Sequence, residues 1–378
     1  MKCHHYINKH CLSCDLLSHD YPSSIAIKEQ KLTRLFPDHL ARIKPSVICE
    51  AGTEGTRNKA KLAVALIRDE IEFGFYDALQ QFKKLEDCPL HASAINAVLV
   101  VLKNKLSEYK IVPYDLASKK GELKYVLITY SESTNELLLR FVLRSSESVT
   151  RLKKMTLDLN AHHSVIKVVT ANIQPVHQAI LEGDEEIILT KNDCVEHRFN
   201  QYSLFQGPRS FFQTSTSMAL QLYCQFQQEL SVLPVRSFLD LYCGVGAFAF
   251  FAAKYCSKVV GIEISDAAIY YANKAREING NDHIQFAAMD VEAFLKNQSS
   301  ADFDAIMVNP PRRGLNHAIV TEIIRLAPSY LFYSSCNAET LQRDISQLQE
   351  VYQLQSLQIF DMFPFTGHFE TLAMLSIR

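Results

Sequence analysis

Apolar residues in the second half of the chain fall into short runs separated by stretches with helical spacing. Runs of four to seven residues alternate with segments in which apolar positions recur every three to four residues. This rhythm is typical of a parallel sheet with helices on both faces. The predicted strands are 237–242, 259–263, 284–287, 305–308, 330–333, 354–360 and 371–377. The short link FDMFPFTGHFE before the last strand favours an antiparallel final strand.

The first half of the chain has a different pattern. Strand-like KLAVALI, KYVLITY, LLLRFVLR, VIKVVTANI and EIILT alternate with helical ALQQFKKL and SAINAVLVVLKNKL, as in a mixed α+β domain. The segment 200–217 contains Gly207 and Pro208 and marks a candidate boundary. We therefore predict an α+β domain over 1–200 and an α/β, Rossmann-like domain over 201–378.

A glycine-rich turn follows the first strand of the second domain. In FLDLYCGVGAFAFFAAK, Gly244 and Gly246 allow a ligand to approach the backbone closely. A dinucleotide fingerprint would have a third glycine where this chain has Ala249, which weakens a dehydrogenase interpretation. Glu263 ends the second strand, where a carboxylate can accept both hydroxyls of a ribose, and Asp290 follows the third. Together these features resemble S-adenosylmethionine-dependent methyltransferases with a seven-stranded class I sheet.

Composition indicates the cellular location of the protein but does not identify its substrate. Hydrophobic residues make up 48% and charged residues 21%, and the net charge of −2 lacks the basic excess typical of nucleic-acid binders. Basic residues do cluster locally, at Arg57, Lys59 and Lys61 and again around Lys124. No apolar run reaches the roughly 18 residues of a membrane span, which predicts a cytoplasmic protein whose ten cysteines are reduced.

Cys336 ends the predicted fifth strand in LFYSSCNAET and directly precedes a helix, a position that can stabilise a thiolate. Uracil C5 becomes nucleophilic only after a thiolate adds at C6, and a base must later remove the C5 proton. Glu370 opens the final strand and is the predicted base, with His368 on the same side as an alternative. Arg312 in VNPPRRG occupies the place of the tyrosine that would indicate methylation of an exocyclic amine.

Six segments together resemble the RNA uracil-C5 methyltransferase family. They are SFFQT, DLYCGVGAF, GIEIS, VNPPRRG, YSSCNAET and DMFPFTGHFE. The resemblance implies that Gln213, Tyr242 and Glu263 contact S-adenosylmethionine alongside the Gly244 turn, and that Asn309 lies where cofactor and uracil meet. It also implies that Cys336 is the nucleophile and Glu370 the base. The chain has Asn309 where many members have Asp, and Phe365 where many have His.

Four cysteines outside the second domain have metal-binding spacing. Cys3, Cys11 and Cys14 follow a C-x7-C-x2-C pattern, and Cys88 lies far downstream. By spacing alone, a structural zinc, an iron–sulfur cluster and a chance grouping all remain open. The family resemblance favours a 4Fe-4S cluster carried by the first domain.

The narrower resemblance is to the bacterial members of the family that methylate 23S rRNA. It rests on TRNKAKLAV, KKGELKYVLIT, LRFVLRS and TANIQPVHQAILEG, and it implies position 747 as the target. A uridine in the loop of a stem-loop is the favoured target, because flipping it out of the RNA requires the least unstacking free energy. Hypothetical phosphate contacts are Arg57, Lys59, Lys61 and Lys124.

The alternatives to this function are a tRNA uracil-C5 methyltransferase and a non-catalytic RNA-binding protein. We expect a monomer.

Overall fold

The structure is a computed structural model that describes residues 1–50, 52–176 and 181–378. Residues 177–180, within the TANIQPVHQAILEG segment, lie outside the described residues. The chain forms two compact units, one of Met1–Leu12 with Gly52–His197 and the other of Ser13–Ala51 with Arg198–Arg378. Within the described residues, no helix has both the length and the apolar character that crossing a membrane requires.

The described residues form ten α-helices and sixteen β-strands. The helices are α1 His4–Ile7, α2 Tyr21–Leu35, α3 Ser93–Glu108, α4 Val149–His162, α5 Thr216–Ser231, α6 Ala247–Ala252, α7 Asp266–Asn279, α8 Val291–Lys296, α9 His317–Leu326 and α10 Ala338–Leu348, with 3-10 turns at Pro37–Arg42 and Ser146–Ser148. The strands are β1 Lys59–Ile67, β2 Glu70–Tyr76, β3 Phe82–Lys84, β4 Leu123–Ser131, β5 Glu136–Leu143, β6 Ile166–Ile173, β7 Glu185–Ile188, β8 Val195–Phe199, β9 Tyr202–Gln206, β10 Ser237–Leu241, β11 Lys258–Glu263, β12 Ile284–Ala288, β13 Ala305–Val308, β14 Tyr330–Ser335, β15 Tyr352–Phe360 and β16 Glu370–Ile377.

The first unit is built on a seven-stranded mixed sheet in the order β3-β2-β1-β4-β5-β6-β7. Its pairs are antiparallel except β5 with β6, which are joined by the crossover helix α4 and run parallel. Apolar side chains of α3 and α4, such as Leu99 and Met155, pack with every second residue of the strands in one buried cluster. The predicted α+β character of this region is confirmed.

The second unit is built on a seven-stranded sheet in the order β12-β11-β10-β13-β14-β16-β15. Strands β10 to β14 pair in parallel, whereas β16 is antiparallel to both β14 and β15. The seven predicted strands are all present, and the predicted antiparallel last strand is confirmed. The order reverses between β10 and β13, and ligands of such sheets bind at the carboxyl ends of the strands beside that reversal.

Residues 13–51 lie in the second unit, whereas the predicted division had placed them in a first domain of residues 1–200. Leu32 and Phe36, from α2 and its end, are buried in the core of the second unit. The backbone then runs beside β15, where the Lys44 and Val47 amides donate to Leu357 and Ile359 carbonyls at 2.8 Å. The second unit therefore consists of two separate stretches of chain, and the later boundary, at His197, lies close to the predicted one.

Candidate active site

The predicted site residues of the second unit gather at one edge of its sheet. Tyr242, Asn309 and Cys336 directly follow β10, β13 and β14, and Glu263 is the last residue of β11. The antiparallel β16 begins at this same edge with Glu370, because Thr371 pairs with Ser335 at the end of β14. The fold thus brings these five residues to the edge at which ligands of such sheets bind.

The turn after β10 holds the backbone in an uncommon conformation. Gly246 has φ of +88°, and a Cβ there would lie 2.5 Å from the Phe286 ring, so only glycine fits. The Gly244 amide donates to Glu263 Oε2 at 3.3 Å, and the Ser265 amide donates to Oε1 at 3.1 Å. These contacts hold the Glu263 carboxylate beside the glycine turn.

Several buried polar atoms of the second unit have no hydrogen-bond partner among the described residues. They include Asp240 Oδ1, Thr214 Oγ1 and Ser215 Oγ. Asp240 accepts a bond from the Ala249 amide through its other oxygen at 3.0 Å, and burial raises the pKa of its carboxyl to about 8. Gln213, next to Thr214, is buried. Unsatisfied buried polar atoms are costly, so this set fits a site completed by a polar ligand.

Two apolar side chains at this edge are unusually exposed, and sequence reasoning missed both. Ile264 is 71% and Met289 43% exposed, and the Met289 amide donates to the Glu263 carbonyl at 2.9 Å. They therefore flank the strand-end carboxylate and offer an apolar surface to a flat ring. The sequence pattern that could have revealed them is an apolar residue directly after the end of a strand, where loops usually have polar residues.

Cys336 lines a cleft of about 260 Å³ together with Arg312, His368 and Lys31. Burial raises the pKa of its thiol, and the nearby charge of Glu370 raises it further. The Arg312 guanidinium, a hydrogen-bonding neighbour of the thiol, acts in the opposite direction and lowers the pKa. Arg312 and a backbone hydrogen bond therefore favour the thiolate, but burial outweighs them, and the sulfur of the free protein is a thiol at neutral pH.

Glu370 lies inside the protein next to this cleft and is 2% exposed. Its Oε1 accepts a hydrogen bond of 2.6 Å from Ser334 Oγ, and burial raises the pKa of its carboxyl to about 7. His368 is exposed and lines the cleft, and partial burial lowers the pKa of its imidazole. Both alternatives for the base are therefore close to Cys336. Glu370 lies next to Cys336 because their neighbours Thr371 and Ser335 are paired across β16 and β14.

The NPPRRG loop after β13 is fixed to the start of α10. Asn337 Nδ2 and Thr340 Oγ1 donate to the Arg312 carbonyl at 3.1 and 3.3 Å. Asp344, fully buried in α10, accepts bonds of 2.8 Å from the Leu315 amide and 2.7 Å from the Tyr333 hydroxyl. Sequence reasoning missed Asp344, although a carboxylate at an apolar position of an amphipathic helix is an informative pattern.

Phe365, which departs from the family pattern, packs within the second unit. Its side chain is 2% exposed, and its ring centroid lies 5.6 Å from that of Tyr21. Its carbonyl accepts from the Leu16 amide at 3.0 Å. The phenylalanine therefore helps to hold the loop that leads to His368 and Glu370.

The four predicted metal-ligating cysteines are divided between the units. Cys3, Cys11 and Cys88 belong to the first unit and Cys14 to the second. Burial raises the pKa of the Cys88 thiol, and the charge of Cys11 raises it further. Both are free thiols of intermediate burial, which is compatible with thiolate ligation of a metal.

A second group of metal-ligating side chains, which sequence reasoning missed, lies beside these cysteines in the first unit. The ligand atoms of His4, His5 and Asp87 lie within 4.8 Å of one another, with His5 Nε2 2.6 Å from Asp87 Oδ1. The three residues are sequence neighbours of Cys3 and Cys88.

One predicted phosphate contact is wrong. Lys124 is buried, and its Nζ donates to the Gln174 side chain and, at 2.7 Å, to the Gln174 and Val176 carbonyls. An ammonium engaged in this way is not available to a phosphate. Lys59 is also largely enclosed, and burial lowers the pKa of its amine to about 8. Lys61 is exposed.

The tRNA (Uracil-5-)-methyltransferase family model matches residues 20–378. The chain belongs to this family. A 23S rRNA (uracil(747)-C(5))-methyltransferase of Shewanella baltica is 40% identical, with 99% of this chain and 97% of the relative covered. The enzyme of the same name from Xenorhabdus bovienii is 37% identical, with 99% of each chain covered. The protein is accordingly an RNA uracil-C5 methyltransferase.

A solved structure extends the family relationship to the fold. The tRNA (uracil-54, C5)-methyltransferase of Pyrococcus abyssi, in complex with S-adenosyl-L-homocysteine, matches with a TM-score of 0.80 and 26% identity. The match covers 96% of this chain and 86% of that one. The α/β class I methyltransferase fold predicted for the second domain is confirmed, and the family's methyl donor is S-adenosylmethionine.

Proposed function

We propose that this family member methylates C5 of uridine 747 in 23S rRNA through a transient covalent bond between Cys336 and uracil C6. The observation that carries the mechanism is the pair formed by Cys336, in a cleft at the end of β14, and the buried carboxyl of Glu370 beside it. The relatives at about 40% identity over nearly the whole chain support the choice of RNA.

S-adenosylmethionine, when bound, supplies an electrophilic methyl group on a sulfonium centre. Glu263 would accept the ribose hydroxyls, and the glycine turn at Gly244 leaves room for the donor to approach the backbone. Ile264 and Met289 would enclose the adenine ring between apolar surfaces. Gln213 and Tyr242 remain the proposed contacts to the rest of the donor.

The nucleophilic step begins when the half-buried Cys336 thiol releases its proton to solvent. The charge of Arg312 favours the thiolate, and Sγ then bonds to C6 of the uracil while C5 gains carbanion character. Asn309 would hydrogen-bond the uracil edge, and its amide can donate as well as accept. After the methyl group has bonded to C5, that carbon still carries a proton, and this proton must be removed.

Glu370 is the proposed base for this proton. It is buried beside Cys336, whereas His368 is exposed. A carboxyl with a pKa of about 7 is ionised in a large fraction at neutral pH and accepts a proton effectively there. Transfer of the C5 proton to Glu370 re-forms the C5–C6 double bond and releases the Cys336 thiolate.

We further propose that Cys3, Cys11, Cys14 and Cys88 ligate a 4Fe-4S cluster. Thiolates are the ligands that such clusters require, and the neighbouring thiols of Cys11 and Cys88 support the assignment. Protein purified without air should contain about four irons per chain, and Cys88→Ser should lose them. Zinc in place of iron would identify the alternative centre.

A covalent trap tests the proposed function. An rRNA stem-loop carrying 5-fluorouridine at the target position should form a crosslink that survives denaturation, because fluorine cannot leave as a proton. Cys336→Ala should abolish the crosslink, and Cys256→Ala, which changes a buried cysteine after α6, serves as its control.

The choice of RNA needs a separate comparison. We expect methyl transfer to a 23S rRNA transcript containing uridine 747, and not to tRNA transcripts under the same conditions. Transfer to tRNA alone would favour the second candidate, tRNA methylation, which is the activity named for the Pyrococcus abyssi structure. A crosslink retained without Cys336 would contradict the mechanism for either RNA.

A further inference from the structure

Ser334 places a buried hydroxyl near the end of β14, beside the candidate site. It lies in β14, preceded by Leu331, Phe332 and Tyr333, and has no exposed surface. Its position two residues before Cys336 directs both side chains toward the same side of the strand. Its Oγ donates a hydrogen bond of 2.6 Å to Glu370 Oε1. A buried polar side chain of this kind costs stability unless it is paired, and Glu370 is its partner.

Among the described residues, two ionisable groups lie close enough to Glu370 for its charge to affect their pKa values. They are Tyr223 on α5 and Cys336 after β14, and the charge of Glu370 raises the pKa of each. Neither group stabilises an ionised carboxylate. The Ser334 hydroxyl does, because its hydrogen bond acts against burial and lowers the pKa of Glu370.

We propose that Ser334 is a positioning residue for the base, holding Oε1 of Glu370 so that Oε2 is free to accept the C5 proton. This inference rests on the proposed function and assigns the serine to one step of it. In that step the C5–H bond breaks, its electron pair forms the C5–C6 double bond, the Sγ–C6 bond breaks and the proton moves to Glu370. Formation of the Sγ–C6 bond comes earlier and does not involve Ser334.

Ser334→Ala should therefore slow the second half of the reaction and spare the first. With an rRNA stem-loop tritiated at C5 of the target uridine, we expect tritium release to slow roughly 10- to 100-fold, the factor that corresponds to losing one hydrogen bond to a charged group. The covalent enzyme–RNA complex should accumulate on denaturing gels. The pH at which tritium release is half-maximal should rise, because the hydrogen bond that lowered the Glu370 pKa is gone.

Two further variants separate positioning from general packing. Ser334→Thr retains the hydroxyl and should restore the rate and the pH midpoint. Ser356→Ala is the matched control, because Ser356 is a buried serine of β15 that donates to Glu229 at 3.1 Å, and both the rate and the midpoint should stay as in wild type. If Ser334→Ala does not fold, Ser334→Cys keeps the side-chain volume nearly unchanged with a much weaker donor, and the same slowing is expected.

The outcomes distinguish this inference from the proposed function. Wild-type tritium release and an unchanged pH midpoint in Ser334→Ala would overturn the positioning role. Equal loss of 5-fluorouridine crosslinking and tritium release would also overturn it, since the serine would then serve the whole cleft. Absence of any Cys336-dependent crosslink in the wild-type protein would instead refute the proposed function itself.

Discussion

Cys336 and Glu370 are two acids whose charged forms disfavour each other. Burial raises the pKa of both groups, and the charge of Glu370 raises that of Cys336 further. The proposed reaction requires these charges in sequence, first on the sulfur and later on the carboxylate. Because the sulfur is bonded to C6 and uncharged when the carboxylate acts, the two charges need not coexist.

The pH dependence of turnover should follow Glu370. The base works only when ionised, so activity should fall as the pH decreases through about 7, where the carboxyl gains its proton. Methyl transfer under saturating substrate, measured from pH 5.5 to 8.5, checks this. Glu370→Gln should lose turnover at every pH while still forming the 5-fluorouridine crosslink. A wild-type profile that is flat across pH 7 would contradict the assignment.

Glu370→Gln should also be more stable than wild type at pH 8. The folded carboxyl holds its proton up to about pH 7, whereas 4.5 is the ordinary value, so the folded state loses stability as the pH rises through this window. One pKa unit corresponds to about 1.4 kcal/mol, which gives a difference of roughly 3 kcal/mol above pH 7. Urea unfolding at pH 5 and pH 8 measures it. An equal effect of the mutation at both pH values would show that the charge is not responsible.

Position along the chain was enough to predict the candidate nucleophile and base, but not their environment. Cys336 and Glu370 were identified because each lies at a strand end in a recognisable segment. Their raised pKa values come from burial and from each other, which only the folded chain determines. Lys124 illustrates the reverse case, because its basic neighbours in sequence suggested a phosphate contact while its ammonium is enclosed by carbonyls.

Helix α10 and the NPPRRG loop form one element of the site. Asp344 connects them through the Leu315 amide, and Tyr333 on β14 donates to the same oxygen. Arg343, beside it, donates to the Arg313 carbonyl at 2.9 Å. The helix therefore sets the position of the loop that carries Asn309 and Arg312.

Asp344→Asn should reduce methyl transfer without unfolding the protein. The amide nitrogen cannot accept the hydrogen bond that Arg343 Nε donates to Asp344 Oδ1 at 2.8 Å, and a displacement of about 1 Å at a reacting site can cost roughly 100-fold in rate. Asp304→Asn is the control, because Asp304 likewise accepts from the Arg236 and Ser237 amides at 2.9 Å, but at the opposite end of β13. Methyl-transfer rates of both variants test the effect on activity, and circular dichroism tests whether they are folded. Equal rates in the two variants would refute a special role for Asp344.

Elements were predicted well where periodicity is strong. All seven strands of the second sheet lie within two residues of their predicted bounds. The pattern of α10 also predicted a helix. It could not show that Asp344, on the same face as Leu341, Ile345 and Leu348, has partners from β14 and the NPPRRG loop. Those partners come from distant parts of the chain.

At the scale of the molecule, a buried ion pair joins the two stretches of chain that form the second unit. Lys28 Nζ in α2 donates to Asp361 Oδ1 at 2.5 Å and to the Phe363 carbonyl at 2.9 Å, with no exposed surface on either side chain of the pair. The Tyr21 hydroxyl donates to the other Asp361 oxygen at 2.7 Å. These contacts fix the loop that leads to His368 and Glu370.

Lys28→Met should destabilise the protein strongly. It leaves the Asp361 charge buried without its cation, which typically costs about 3–5 kcal/mol. Lys31→Met is the matched control, since Lys31 lies one turn along α2 and pairs with Glu339 on the surface, where loss of the pair costs less than about 1 kcal/mol. Urea unfolding of both variants tests the difference. Similar free energies of unfolding for the two would contradict it.

The division of the chain was the least predictable part of the fold. Residues 13–51 precede the first unit's sheet in sequence, so continuity favoured one N-terminal domain. The contacts that place them elsewhere, such as Lys28 with Asp361, span more than 300 residues. Helical spacing in α2 shows that one face is apolar, but it does not identify the surface that covers it.

The placement of β16 has a consequence for synthesis on the ribosome. This strand is translated after every other described strand, yet it lies between β14 and β15, which touch only through it. Until β16 emerges, the nascent chain presents two unpaired strand edges, a known hazard for aggregation. The same late strand brings Glu370, so the proposed base joins Cys336 only when this strand is added to the sheet. A polypeptide stalled before this point would carry the sulfur without the group proposed to complete turnover.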